Sequence, residues 1–204
     1  MASARPRRSG ATFAVALVLA VVVAVVWLAA SGRMPWAEAG PTASSAPSNA
    51  SAAPADGLPS RPGDAFALTV TYVFDGDTIE ARMQEPNEVV ATSNPIRVRL
   101  IGIDTPEGTP SPECWADEAR AHLAELLPEG STVWAAPDTE TWDRYDRALF
   151  NLWTDDGRFV NHELVAAGDA EAIRVWPNVA FYDLLAAAQA QAEASGAGRW
   201  GACG

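Results

Sequence analysis

Three short stretches of this 204-residue chain hold acids and arginines at spacings that could bind an ion or grip an anion. In the first, YVFDGDTIEA (residues 72–81), Asp75 and Asp77 flank Gly76 inside β-prone sequence. An Asp-Gly pair between such segments is an ordinary hairpin turn, so this stretch alone leaves open whether its carboxylates hold anything. In the second, RLIGIDTPE (residues 99–107), a strand-like run exits into Asp104, Thr105 and Glu107. Pro106 fixes its own φ and biases Thr105 to extended backbone. Acids and threonines at a strand exit also commonly do no more than make a turn. The third, DRYDR (residues 143–147), reads by default as a solvated cluster of alternating charge.

The elements that must position these residues follow from periodicity and punctuation. Residues 66–74 and 78–83 read as two strands around the Asp-Gly turn, and residues 84–95, polar with two prolines, as a long loop. IRVRLIGI (96–103) alternates apolar residues with Arg97 and Arg99, a strand with one charged side. Three prolines and a glycine make residues 104–112 a loop. Residues 113–127 carry Trp115, Ala119, Leu123, Leu126 and Leu127 at helical spacing and stop at Pro128. STVWAA and ALFNLWT (148–154) read as further strands. FVNHELVAAG reads as a short helix, and residues 178–196 as an alanine-rich helix closed by glycine. The order is that of an α+β domain with a small antiparallel sheet or barrel. His122 and His162 fall on expected helices and read as ordinary helix residues with no catalytic role.

Composition sets the frame. Residues 14–30 carry no charge and, with Phe13, are about long enough to cross a bilayer as a helix. Arg5, Arg7 and Arg8 precede them, which favours an N-terminus inside the cell. The expected organisation is a cytoplasmic arm (1–12), a transmembrane anchor or signal segment (13–30), an Ala/Pro/Ser-rich linker (31–63) and a folded domain (64–204). It places the domain outside the cytoplasm on a single-pass anchor, or free in the medium if the segment is cleaved as a signal peptide. The linker composition cannot bury a core. Lysine is absent, and residues 64–204 hold nine arginines against 24 acids, a net of −15. So acidic a domain lacks the basic surface of a general nucleic-acid binder, and any phosphate chemistry must rest on a few focused arginines or a metal. Cys114 and Cys203 show no metal-ligand pattern. In an extracytoplasmic domain a single disulfide is their natural pairing, and two unrelated thiols are the alternative.

Taken in order, the three stretches say more than each does separately. A strand hairpin with DGDT, a strand with R-x-x-x-x-DTPE and a D-x-Y-x-R ahead of a later strand together resemble the staphylococcal nuclease (thermonuclease) family. The resemblance runs from about Phe66 to Trp200. LFNLWTDDGRFVNHELVAAGDA adds to it, looking like the family's hairpin followed by an N-x-x-L-V-x-x-G helix. It implies an OB-fold five-stranded β-barrel with three helices, a fold that offers one face and its loops to oligonucleotides. It also implies a calcium ion held by the carboxylates of Asp77 and Asp104 and the backbone carbonyl of Thr105, with Asp75 and Thr78 supporting the site. Hard oxygen ligands suit calcium, and the ion reverses the local sign where a polyanion must bind. Glu107 resembles the residue that positions or deprotonates the attacking water. Arg99 and Arg147 resemble the arginines that grip the scissile phosphate. Arg144, Tyr145, Arg174 and Trp176 are candidate substrate contacts by charge or stacking.

The chain departs from the family at Asp146, where glycine is frequent, around residues 175–178, where tyrosines are frequent, and in its lack of lysine. The resemblance therefore implies a calcium-dependent nuclease cleaving DNA, RNA or both to 3′-phosphate and 5′-hydroxyl ends. It would be a monomer with no protein partner inferred. The alternatives are a catalytically weak OB-fold binding module and a calcium-stabilised extracellular interaction domain.

Overall fold

The computed structural model describes residues 57–204. The expected cytoplasmic arm, membrane segment and most of the linker lie outside the described residues. Among those described, no helix is long and apolar enough to cross a membrane. Ordered contacts begin before residue 64: Trp153 Nε1 donates to Pro59 O at 3.1 Å, and the Arg61 guanidinium lies 3.9 Å from the Trp134 ring centre.

Five strands close into a barrel. They are β1 (Phe66–Val73), β2 (Thr78–Arg82), β3 (Ile96–Leu100), β5 (Thr132–Ala136) and β6 (Ala148–Thr154), in the order β1-β2-β3-β6-β5. This matches the strand number of the expected OB-type barrel. Contrary to an all-antiparallel sheet, β3 and β6 pair in parallel, with Arg99 beside Leu149. Leu68, Ile79, Val98, Leu100, Val133 and Phe150 fill the interior. In β1, Leu68 and Val70 point inward, and the pairing with β2 then shifts between Val70 and Tyr72. That bulge makes Val73 the next buried residue and leaves Tyr72 outside.

The run expected as one strand over 96–103 is broken. Gly102 adopts φ +80°, which L side chains rarely adopt, and the chain turns into β4 (Ile103–Asp104), paired with β7 (Glu171–Ala172), a strand with no signal in sequence.

The helices are α1 (Ala116–Leu126), α2 (Val160–Ala167), α3 (Tyr182–Ser195) and a four-residue turn, α4 (Arg199–Ala202). Two of the expected helices start later than their spacing suggests. α1 follows Trp115 in left-handed conformation (φ 77°), and Trp115 Nε1 donates to Asp169 at 2.7 Å. α3 waits until residue 182 because Asn178 is used as a tie: its side chain accepts from Thr139 N and Glu140 N and donates to Glu140 O. A stacked Trp153–Phe159 pair, with Phe181 against both, covers the outer face of β6, which explains why that strand is buried along nearly its whole length.

Asn161, fully buried on α2, joins the helix to the barrel. Its Oδ1 accepts from Leu152 N at 3.0 Å and its Nδ2 donates to Ile101 O at 2.9 Å. Asn161→Ala leaves one buried donor and one buried acceptor without partners, an expected loss of about 2–4 kcal/mol, read as a lower urea midpoint.

Cys114 and Cys203 are joined, with Cα atoms 5.9 Å apart, closing the start of α1 onto the chain's end across 89 residues. Beside the bridge, Asp169 is buried between Trp115 and His122 Nδ1. The hydrogen bond to Asp169, against the opposing effect of burial, holds the His122 imidazole above its usual 6.5. A raised folded value means this pair stabilises fully below 6.5 and ceases to as pH rises through the folded value. The parent's melting temperature should therefore fall more steeply than that of His122→Gln as pH is raised above 6.5.

Candidate active site

The β1–β2 hairpin presents DGDT at one end of the barrel. Gly76 is required there by contact: a Cβ would stand 2.8 Å from both Ala119 Cβ and Thr105 Cγ2. Asp75 Oδ1 accepts from Asp77 N at 3.1 Å, and Leu100 N donates to Asp77 O at 2.9 Å, fixing the turn onto β3.

Asp77 is the centre of a compact knot. Its Oδ2 accepts from Thr105 N at 3.0 Å and from Thr105 Oγ1 at 3.1 Å; its Oδ1 accepts from Thr78 Oγ1 at 3.1 Å and pairs with Arg99 Nε at 3.0 Å. Burial pushes the Asp77 carboxyl up to about 6; Arg99 opposes this, and Asp75 adds to it. Arg99 is itself held from several sides, donating to Leu100 O, Ile103 O and Asp104 Oδ1 at 2.6–2.8 Å. One guanidinium thus brings the carboxylates of Asp77 and Asp104 together, the first 8% and the second 57% exposed. Thr105 is buried directly after Asp104.

Beside this knot lies an open cavity of about 340 Å³, lined among others by Asp75, Thr78, Glu107 and Arg147. Glu107 is exposed on a loop closed by reciprocal bonds: Glu107 N donates to Glu113 Oε2 at 3.0 Å and Glu113 N to Glu107 O at 2.9 Å. Arg147 enters from the segment before β6. Asp143 positions it, accepting from Arg147 Nε at 2.7 Å and from the backbone N–H of Tyr145 and Arg147 at 2.9 Å each. Burial works against ionisation of Asp143, but these bonds from Arg147 and Tyr145 outweigh it and hold the carboxyl below its usual value. Asp146 closes the turn with φ 62°, the left-handed conformation that aspartate tolerates better than most residues.

The structure therefore gathers Asp75, Asp77, Thr78, Arg99, Asp104, Thr105, Glu107 and Arg147 at one end of the barrel. Arg99 faces the two carboxylates, and Arg147 faces the cavity. Tyr145, 64% exposed, has the guanidinium groups of Arg144 and Arg147 within 4.7 and 5.6 Å of its ring centre. Arg174 and Trp176 do not line the cavity: Arg174 stacks on Tyr182 and pairs with Asp183, and Trp176 is 81% exposed. Three contributors escaped the sequence reading. Asp143 was visible in DRYDR only as one charge among several, although its i, i+4 spacing to Arg147 was a signal. Phe74 and Arg97 line the cavity, and their only trace was an aromatic and a cation in neighbouring strand-like runs.

Among the described residues no three His, Cys, Asp or Glu side chains converge as a metal cluster. What converges is the two carboxylates of Asp77 and Asp104 on one guanidinium, hard oxygens of the kind suited to a cation that keeps several waters. A carboxylate whose ionisation is opposed by burial, as at Asp77, is also one that a cation would relieve.

A closed five-stranded barrel with an acid–arginine knot beside an open, charged cavity is an OB-type barrel with a candidate site at one end. Residues 97–202 match the family model described as staphylococcal nuclease homologue. The chain is 32% identical to Endonuclease YhcR of Bacillus subtilis (strain 168) over 152 residues, 70% of this chain but 12% of that protein. It is 35% identical over 104 residues to a protein of Escherichia coli O157:H7 named "Uncharacterized endonuclease", spanning 50% of this chain and 57% of that one. It is 32% identical to the Thermonuclease of Staphylococcus intermedius over 126 residues, 61% of this chain and 70% of that one. The chain belongs to the staphylococcal nuclease family.

Proposed function

We propose that the domain is a calcium-dependent nuclease hydrolysing phosphodiester bonds of DNA, RNA or both. The observation that carries this reading is the shared cavity of Glu107 and Arg147 next to the Asp77–Arg99–Asp104 knot. An OB-fold module that only binds has no need of an exposed carboxylate held on a closed loop opposite a positioned arginine. The names of the relatives, endonuclease and thermonuclease, agree with the reading.

In the proposed reaction the Glu107 carboxylate takes a proton from water as its oxygen attacks phosphorus. The bond from phosphorus to the 5′ oxygen breaks with its electron pair on that oxygen, which takes a proton from solvent water in the open cavity, leaving 3′-phosphate and 5′-hydroxyl ends, and Glu107 returns its proton to solvent. Arg147 donates to the phosphoryl oxygens as charge accumulates on them, stabilisation that is strongest at the transition state. Arg99 keeps Asp77 and Asp104 in place and, with Nη1 donating to Leu100 O and Ile103 O, has one N–H left, on Nη2, to offer the phosphate. Asp77, Asp104 and the Thr105 carbonyl would hold calcium, which when bound supplies positive charge beside the phosphate.

The test is cleavage of single-stranded DNA and RNA by the full chain, with calcium and with a chelator, followed by end-group analysis. Cleavage that disappears with chelator and leaves 3′-phosphate ends is expected. No cleavage under either condition would overturn the reading. The acidic domain adds an expectation. A net of −15 over residues 64–204 repels a polyanion at long range, and salt screens it, the Debye length being about 8 Å at about 0.15 M. KM should stay level or fall as monovalent salt is raised to about that concentration at saturating calcium; a steep rise would contradict the argument.

The proposed location is outside the cytoplasm, on an N-terminal membrane anchor. The Cys114–Cys203 bridge suits an oxidising compartment. Cell fractionation with N-terminal sequencing tests it, and a soluble product beginning near Ser31 would refute the anchor.

A further inference from the structure

One wall of the cavity continues as an alternation of arginines and aromatic rings. Arg97 lines the cavity, and its guanidinium lies over the Phe74 ring, 4.5 Å from the centre. Phe74 meets Tyr72 edge to face with centres 5.0 Å apart. Arg120 on α1 reaches Tyr72 in turn, its guanidinium 5.7 Å from the ring centre and its Nη2 3.3 Å from the hydroxyl, with Nε donating to Val73 O at 3.1 Å. The β1 bulge is what puts Tyr72 outside, 43% exposed.

Two features separate this chain of contacts from ordinary surface decoration. Five of the domain's nine arginines, at 99, 147, 158, 174 and 199, pair with carboxylates. Arg97 and Arg120, like Arg82 and Arg144, pair with none among the described residues; of these four, Arg97 lines the cavity and Arg120 is joined to it through the Tyr72 and Phe74 rings. On a domain with a net of −15, these are uncommitted positive charges. Glu80 stands between Tyr72 and Arg97 in the strand register, but its carboxylate accepts from Thr71 Oγ1 at 2.8 Å and does not pair with Arg97.

We propose that Arg97, Phe74, Tyr72 and Arg120 form an arm that binds single-stranded nucleic acid leading away from the scissile bond. It rests on the nuclease reading above. Aromatic faces accept unpaired bases whatever their sequence, and arginines between them meet the phosphates. A duplex hides its base faces, so the arm favours single strands. It also answers how an acidic domain without lysine holds a polyanion, through a narrow positive track entering the cavity.

The experiment measures KM for cleavage of single-stranded oligonucleotides from a dinucleotide to a 12-mer. In the parent protein KM should fall as length increases. In Arg120→Gln and in Tyr72→Ser the fall should be about ten-fold smaller, the worth of one stacking or phosphate contact. Arg120→Lys should recover part of it. Arg158→Gln, which changes net charge equally at a distant, ion-paired arginine, should keep the parental length dependence. Photocrosslinking of the unmodified protein to 4-thiothymidine-containing strands, which needs no variant, should label residues 66–82 or the segment around Arg97. If the parent cleaves but KM does not depend on length in this way, or crosslinks lie wholly elsewhere, the arm is wrong and the nuclease reading stands. If the parent neither binds nor cleaves, the nuclease reading itself fails.

Discussion

Arg147→Ala and Glu107→Gln are each expected to lower the cleavage rate by about 10²–10³-fold while the metal-free fold melts where the parent does. The reason is placement. Glu107 is exposed on a loop that closes through its own backbone N–H and C=O, bonded to the Glu113 carboxylate and N–H, so its side chain contributes nothing to that closure. Arg147 sends its side chain to Asp143 and the cavity, and Asp143 keeps two backbone donors if the guanidinium is removed. The losses should not add in the double variant, since both groups act on one transition state. Asp143→Asn should show a smaller loss, because it loosens Arg147 without removing it. Single-turnover kinetics at saturating calcium read the effect, and thermal melts control for folding. Parental rates in both Glu107→Gln and Arg147→Ala would remove the chemistry from this cavity and favour a domain that only binds.

The second large effect separates two carboxylates that look equivalent in sequence. Asp104→Asn should raise the calcium concentration needed for half-maximal activity by at least about ten-fold, with little change in metal-free melting. Asp104 is more than half exposed, and its carboxylate accepts from Arg99 alone. Asp77→Asn should likewise shift calcium dependence to higher concentration and should also destabilise the metal-free fold. Both Asp77 oxygens face donors, Thr105 N–H and hydroxyl on one side, Arg99 and Thr78 on the other. An amide has one oxygen only, so whichever way it turns, its NH₂ meets a donor and buried groups go unsatisfied. Calcium titrations of activity, paired with melts in chelator, give both readings. Asp104→Asn that leaves calcium dependence unchanged would exclude Asp104 as a ligand.

Asp77 shows how far the sequence could be read. The hairpin turn and flanking strand around it are local features and legible, whereas its membership of a site rested on the family resemblance of the three ordered stretches. The knot around it was not legible, since Thr105 and Arg99 arrive from a different strand and its exit. The barrel's strands and its three main helices were readable from periodicity and punctuation, while closure of the strands into a five-stranded barrel was implied only by the family resemblance. β4 and β7 were not, because two-residue strands have no period and depend on the turn at Gly102. The late start of α3 was hidden for the same reason: Asn178 has unremarkable helix propensity, and only its partners at residues 139 and 140 reveal that it is a tie. Arg97 and Phe74 lie on different strands, and nothing short of the assembled sheet brings them together.

The parallel pairing of β3 with β6 fixes when the domain becomes competent. Arg99 and Arg147 are near neighbours because the register sets Arg99 beside Leu149, two residues past Arg147, across a gap of about fifty residues of chain. Such a pairing cannot form as a hairpin and must await the intervening α1 and β5, a long loop closed against its entropy. A nascent chain can therefore build the β1–β2–β3 meander and the Asp77 knot early, yet present no Arg147 to the cavity until the last seam is sealed. In refolding, burial of Trp153 on β6 and recovery of catalysis should share one slow rate, well after the early hairpin has formed.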